Sequence, residues 1–217
     1  MSKMKELKKI IVNKPLKLDC GETINNYPIA YETYGKLNEK KDNAILAFHA
    51  LTGDQFLTGI NPVTNKKGWW TYLIGPSKPI DTNKFFVICA NVIGGCMGSF
   101  GPSTVDEKSK KPLGTSFPVI TINDMVNAQY NLLDHFKIKK LFCVIGGSMG
   151  GMQVLQFVSN FPNAAKNAIP IACTANHSAQ NIAFNELARQ SIMADNNWDK
   201  GDYVNKEKSP DKGLAVA

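Results

Sequence analysis

The apolar run Leu141-Phe142-Cys143-Val144-Ile145 passes without a break into Gly146-Gly147-Ser148-Met149-Gly150-Gly151-Met152-Gln153. No other stretch restricts the fold as strongly. Residues 141–145 are apolar at every position, which suits a strand buried on both faces. After them Met152, Leu155, Gln156, Val158 and Ser159 recur at helical spacing until Phe161-Pro162 stops the pattern. A strand, a sharp turn and a helix are predicted, with Ser148 at the bend. In a Gly-x-Ser-x-Gly turn of this kind the serine is held at a strained backbone conformation and its hydroxyl is lifted above the sheet. Gly146 and Gly150 supply the room, because a Cβ at either flank would collide with the turn or hold the helix away. The helix begins beside Ser148, so its unpaired N–H groups and its dipole face the place where negative charge would develop. A glycine-rich turn can also serve packing alone. The strand before it and the helix after it favour a nucleophilic serine.

The rest of the chain supplies the sheet that such a turn needs. Ala44-Ile45-Leu46-Ala47-Phe48-His49 and Phe85-Phe86-Val87-Ile88-Cys89-Ala90 read as two more buried strands, and Ala168-Ile169-Pro170-Ile171-Ala172 as a fourth parallel strand. The stretches after the first two, His49 to Asp54 and Asn91 to Ser103, fall at the carboxyl edge, where open α/β sheets bind ligands. Thr121-Ile122-Asn123-Asp124 is a capping box, and Met125, Val126, Gln129, Leu132, Leu133 and Phe136 mark one face of the helix it opens. A second cap at Ser178 opens a helix carrying Ile182, Phe184, Leu187, Ile192 and Met193 to about Asp195. Leu16–Cys20 and Tyr27–Tyr34 are expected to pair as an edge hairpin around Gly21-Glu22. Residues 55–77 are expected to form a long loop with a short helix, and residues 196–217 to lack a closing element. The predicted class is α/β, a mainly parallel sheet covered by helices on both faces.

Composition excludes several functions. The 217 residues suit one domain, or one domain and the start of another. No apolar run approaches the roughly 18–20 residues that cross a bilayer, and the N-terminal residues have no signal-peptide pattern. A cytoplasmic protein is expected. The net charge of +7 comes from scattered lysines, densest at Lys3 to Lys9, Lys36 to Lys41 and Lys108 to Lys111. They form no aromatic-interleaved or helical basic stripe, so they read as solvated surface rather than a nucleic-acid footprint. The loop Asn91 to Ser103 is rich in glycine but lacks the Gly-Lys-Ser/Thr of a phosphate-binding loop. Five cysteines, Cys20, Cys89, Cys96, Cys143 and Cys173, contain no C-x-x-C pair and read as free thiols in a reducing compartment. No metal site is predicted.

The blocks His49–Asp54, Asn91–Ser103, Phe117-Pro118, Thr121–Val126, Ile145–Gln153 and Ser178–Asn185 together resemble the homoserine O-acetyltransferases of the α/β-hydrolase superfamily. The resemblance implies transfer of an acetyl group from acetyl-CoA to the hydroxyl of L-homoserine, early in methionine synthesis, through an acyl-serine intermediate. It implies that Ser148 is the nucleophile and that the backbone N–H groups of Leu51 and Met149 form the oxyanion hole. It also implies small-molecule substrates, acetyl-CoA as co-substrate with no permanently bound cofactor, and a homodimer for the complete enzyme. Relatives that use succinyl-CoA or acylate serine share much of the pattern.

The family order is serine, then acid, then histidine, and here the chain runs only to Ala217. The expectation is therefore a shortened chain, with residues 1–175 as the core and 176–217 as the start of a helical lid. It would lack the last strands, most of the lid, and the triad acid and histidine. His177 is the only histidine after Ser148, at a position the family does not use as its base; His49 is expected to position its turn, and His135 to sit at a helix C-terminus. Asp195, Asp199 and Asp202 read as surface acids. Such a chain is expected to have little activity alone and an exposed sheet edge. Two rival readings are an esterase or thioesterase, in which water receives the acyl group, and an inactive binding module of the same fold.

Overall fold

Among the described residues ten strands and four α-helices form, the longest of them where these apolar runs and caps lie. The strands are β1 (Lys9–Val12), β2 (Leu16–Lys17), β3 (Thr23–Ile24), β4 (Tyr27–Tyr34), β5 (Ala44–Phe48), β6 (Ile74–Gly75), β7 (Ile80–Asp81), β8 (Phe86–Ala90), β9 (Leu141–Gly147) and β10 (Ala165–Ile171). The helices are α1 (Ile122–Phe136), α2 (Met149–Asn160), α3 (Ala179–Met193) and α4 (Asp211–Val216). The structure, a computed structural model, describes residues 7–203 and 207–217. The start of the basic cluster, Lys3 to Glu6, and the N-terminal residues read for a signal peptide lie outside them.

The chain divides into two compact units, residues 7–100 with Val119–Cys173, and Gly101–Pro118 with Thr174–Ala217. In the first, a six-stranded sheet runs in the order β1-β4-β8-β5-β9-β10. β8, β5, β9 and β10 are mutually parallel, and β4 and β1 are added antiparallel at one end. β5 and β8 are buried at every position, as a continuous apolar run requires. One face of the sheet, bearing Leu46, Phe48, Ile88 and Val144, packs against Val126, Leu132, Val154 and Phe157 of α1 and α2. The other face, bearing Ile45, Val87, Cys89 and Ile145, packs on Leu57, Ile74 and the pair Trp69-Trp70. Within this unit helices cover the first face, and the connection between β5 and β8 covers the second.

The capping box at Thr121 forms as predicted. Asp124 accepts from the Thr121 N–H at 2.9 Å and its own N–H reaches Thr121 Oγ1 at 3.2 Å. Asp124 is fully buried, and its carboxylate also takes the Asp19 N–H at 3.0 Å, so desolvation is offset by three donors and the helix dipole.

Three expectations need correction. Leu16–Lys17 pairs with Thr23–Ile24 in a separate two-stranded sheet, and the partner of Tyr27–Tyr34 at the edge is Lys9–Val12. Ile10, Ile11 and Val12 follow directly on Lys8 and Lys9, so in sequence this strand merges with the basic tail. Residues 55–77 contain no helix; their last turn forms β6, which pairs in parallel with β7. The terminal residues do close an element, because Gly213 approaches the backbone at Ser191 and Ile192 closely enough for α4 to pack on α3. A Cβ there would lie 2.4 Å from the Ser191 carbonyl oxygen.

All five cysteines are free; Cys89 and Cys143 are buried, Cys20 and Cys96 exposed. Burial pushes the Cys143 thiol up to about 11 and the Cys89 thiol well above its ordinary value. Among the described residues no helix is long and apolar enough to cross a membrane.

Candidate active site

β9 ends at Gly147 and α2 begins at Met149, which leaves Ser148 alone at the bend with φ 56° and ψ −123°. A residue with a Cβ is strained there. The bend is held by the Ser148 N–H, which donates to the Ile171 carbonyl of β10 at 3.0 Å, and by the Ser148 carbonyl, which accepts from Met152 N–H at 3.1 Å. The side chain makes no cap bond to its own helix, and Ser148 is exposed. The flanking glycines are required by contact. A Cβ on Gly146 would lie 2.4 Å from the Gly150 carbonyl oxygen, and one on Gly150 would lie 2.2 Å from the Phe48 carbonyl oxygen at the end of β5. Gly147 meets nothing within 4 Å.

The close approach of Gly150 to Phe48 brings the first turn of α2 against the segment that continues from β5 into Leu51. That segment is held by a polar network. His49 is 1% exposed. Its Nε2 accepts from the Val92 N–H at 3.1 Å, so Nδ1 carries the proton and donates to the Ala50 carbonyl at 2.8 Å. The Ala50 carbonyl also accepts from Gly53 N–H at 2.9 Å, closing the turn. Burial holds the His49 imidazole below its ordinary value, against smaller upward pulls from the Ala50 carbonyl and Asp54. Asp54 then ties down the next stretch, accepting from Phe56 N–H and Asn61 Nδ2, each at 2.8 Å. Leu51 itself is 71% exposed. Among the described residues no acceptor is paired with the N–H of Leu51 or of Met149, the first residue of α2.

Sequence reasoning singled out Ser148, Leu51 and Met149, and the contact between α2 and the end of β5 brings the elements that carry all three to one edge of the sheet. It gave no role to two buried amides behind them. Gln153 is 0% exposed and Gln129 is 1% exposed. Gln129 Nε2 donates to Gln153 Oε1 at 2.7 Å, and Gln153 Nε2 reaches the His49 carbonyl at 3.3 Å and the Met149 carbonyl at 3.4 Å. The available signal was a polar residue, Gln129, inside the apolar stripe of α1. Asn91 was also missed. Its carbonyl accepts from Ser99 Oγ at 2.6 Å and its Oδ1 from Met97 N–H at 3.0 Å, which fixes the loop after β8.

The remaining candidates sit on other elements. His135 Nε2 is 3.3 Å from the Tyr31 hydroxyl near the end of α1. In the second unit His177 is exposed before α3, and Asp195 accepts from the N–H groups of Asn197 and Gly213. Asp199 begins a short 3-10 turn, and Asp202 follows it. Among the described residues no group of three or more His, Cys, Asp or Glu is placed to hold a metal ion.

A family model described as the alpha/beta hydrolase fold matches residues 43–215. The chain is 73% identical over 211 residues to homoserine O-acetyltransferase of Pelagibacter ubique, a match spanning 97% of this chain and 57% of the relative. It is 59% identical to the homoserine O-acetyltransferase of Mesorhizobium japonicum, over 94% of this chain and 53% of the relative. Among solved structures, homoserine O-acetyltransferase from Bacillus anthracis superimposes with a TM-score of 0.87 at 30% identity, over 97% of this chain and 58% of that one. Esterase E22 gives the same TM-score at 33% identity, over 97% and 59%. The chain thus spans a little over half the length of the curated relatives it matches.

Proposed function

Because this chain belongs to the α/β-hydrolase family, we propose that it carries the acyl-accepting half of a homoserine O-acetyltransferase, with Ser148 as the nucleophile. The observation that carries this reading is the exposed serine at φ 56° on the bend between β9 and α2, with unpaired main-chain donors on the two elements beside it. In the first step Ser148 Oγ attacks the thioester carbonyl of acetyl-CoA. The hydroxyl proton leaves to a base, the carbonyl oxygen becomes an oxyanion facing the N–H groups of Leu51 and Met149, and the C–S bond breaks to release CoA as its thiol. In the second step the hydroxyl of L-homoserine attacks the acyl-serine, O-acetylhomoserine departs, and Ser148 Oγ regains a proton. Two donors of this kind stabilise such an oxyanion by several kcal/mol in total, at about 2.7–4 kcal/mol each.

The base has to come from elsewhere. Within the first unit His49 is committed to Val92 and Ala50, and His135 lies beside Tyr31. The reading assigns the triad acid and histidine to the part of the family length that this chain does not span. Pairing of complete copies, a cytoplasmic location and a place in methionine synthesis belong to the same proposal.

The test is to incubate the protein extended to family length, which supplies the base, with acetyl-CoA and to locate added acetyl by mass spectrometry. The expected result is one acetyl group on the peptide bearing Ser148, absent from Ser148→Ala and discharged faster with homoserine than with water alone. Acetyl found elsewhere, or retained in Ser148→Ala, refutes the assignment. The equal superposition on esterase E22 supports a second reading, transfer to water, and discharge independent of homoserine selects it.

A further inference from the structure

A main-chain oxyanion hole poses a mechanical problem. Its two donors come from segments far apart in sequence, Leu51 after β5 and Met149 at the start of α2, and a change of about 1 Å in such a constellation costs on the order of a hundredfold in rate. Something has to set their separation. Backbone contact does part of this, since Gly150 allows α2 to lie against the carbonyls of Phe48 and His49. That contact limits how close the two segments come. It does not limit how far they part.

We propose that Gln153 is the positioning residue that sets this separation. The proposal rests on the reading of Ser148 and the two donors given above. Gln153 lies one helical turn after Met149, is fully buried, and sends one amide nitrogen to two carbonyls, that of His49 at 3.3 Å and that of Met149 at 3.4 Å. The first belongs to the segment that presents Leu51, the second to the residue whose own N–H is the other donor. One planar group therefore ties both halves of the hole. Its orientation is fixed from behind, because Gln129 Nε2 donates to Gln153 Oε1 at 2.7 Å. With the carboxamide oxygen occupied by a donor, the NH2 end must face the two carbonyls. The tie also meets a need of the backbone. The His49 carbonyl lies beyond the last register pair of β5 with β9, Phe48 with Gly146, and a buried carbonyl there needs a donor.

Two substitutions separate positioning from ordinary packing. Gln153→Met keeps the volume and removes both donated bonds. Gln153→Glu keeps the acceptor for Gln129 but, when ionised, presents oxygen to the two carbonyls; when protonated it donates once more. Measured with p-nitrophenyl acetate as acyl donor on the protein extended to family length, where the base is supplied, Gln153→Met is expected to lower kcat about a hundredfold with KM within about threefold, as loss of a transition-state contact requires. Gln153→Glu is expected to be equally slow at alkaline pH and to recover as pH falls and the carboxyl protonates. A rise in KM at constant kcat, or an acid limb identical to that of the wild type, overturns the proposal.

Crystal structures of the wild type and Gln153→Met give a readout independent of activity. The distance between the Leu51 and Met149 nitrogens is expected to change by about 1 Å in the variant. An unchanged distance overturns the positioning role even if Ser148 is the nucleophile. Conversely, p-nitrophenol release that persists in Ser148→Ala defeats the underlying reading and leaves the structural comparison to decide the role of Gln153.

Discussion

β9 and β10 lie side by side in one sheet, parallel and in register from Leu141 with Ala165 to Gly147 with Ile171. Both are seven residues long, yet β9 is buried along most of its length whereas β10 is exposed at every position but one. The difference is one of neighbours. β9 has β5 on one side and β10 on the other, with α2 across one face and the loop residues around Leu57 and Ile74 across the other. Among the described residues β10 pairs with β9 alone, and Ile169 and Ile171 stand 46% and 40% exposed. Ser148 depends on both strands: β9 delivers it, and the carbonyl of Ile171 at the end of β10 holds its N–H. The Ser148 bend is built on the boundary between a covered and an uncovered part of the sheet.

The largest effect should separate the middle of the sheet from its edge. Leu46 of β5 is 0% exposed, so Leu46→Ala should cost about 2–5 kcal/mol of unfolding free energy. Ile169→Ala, on β10, should cost less than about 1 kcal/mol. Urea unfolding midpoints compare them, and equal shifts would break the contrast between covered and uncovered strands.

Next in size is a pair at the bend itself. Gly150→Ala places a methyl group 2.2 Å from a carbonyl oxygen of β5, for an expected cost of about 3 kcal/mol; Gly147→Ala meets open space, and its melting temperature should match the wild type. If both variants lose stability alike, the glycines serve backbone freedom rather than close approach.

A smaller effect is pH-dependent. Burial depresses the His49 pKa in the folded state, while in the unfolded chain it returns to about 6.5. The unfolded state thus binds the extra proton first. Stability should be fully present above pH ~6.5 and fall by up to about 1.4 kcal/mol per unit as pH drops from there to the folded-state value, below which this contribution levels off. The groups facing the ring are the Ala50 carbonyl, the Val92 N–H, the Asn91 amide and, at longer range, Asp54. His49→Gln should flatten this part of the stability profile measured by chemical denaturation between pH 4 and 8.

The smallest change in stability is expected at the edge. Ile169→Lys should alter it by no more than about 0.5 kcal/mol yet reduce concentration-dependent association seen by light scattering, because a charge on an open strand opposes pairing with another copy. Unchanged association would mean that some other surface governs contact between copies.

How legible each feature was follows from how local its cause is. The strands β5, β8 and β9 were readable because runs of apolar residues exclude any other environment, and α1 was readable because Thr121 and Asp124 satisfy each other's backbone N–H groups over one turn. The edge hairpin was misassigned because alternation shows that Tyr27–Tyr34 is a strand and says nothing about which segment pairs with it. The helix at Asp211–Val216 was missed because its reason for forming is Gly213 packed against Ser191 on another helix.

For the site, the residues alone determined that a serine would occupy a glycine-flanked bend between a strand and a helix, since only small flanks permit that backbone. They identified Leu51 and Met149 through resemblance to a family. Only the tertiary structure decided that His49 is a buried, neutral clamp between two loops, and that Gln153 and Gln129 join two helices to the end of β5. Backbone strain and apolar runs are written within a few consecutive residues. A hydrogen bond between groups 104 positions apart exists only once packing has brought them within 3.3 Å, and the loss of water on burial is what gives it strength.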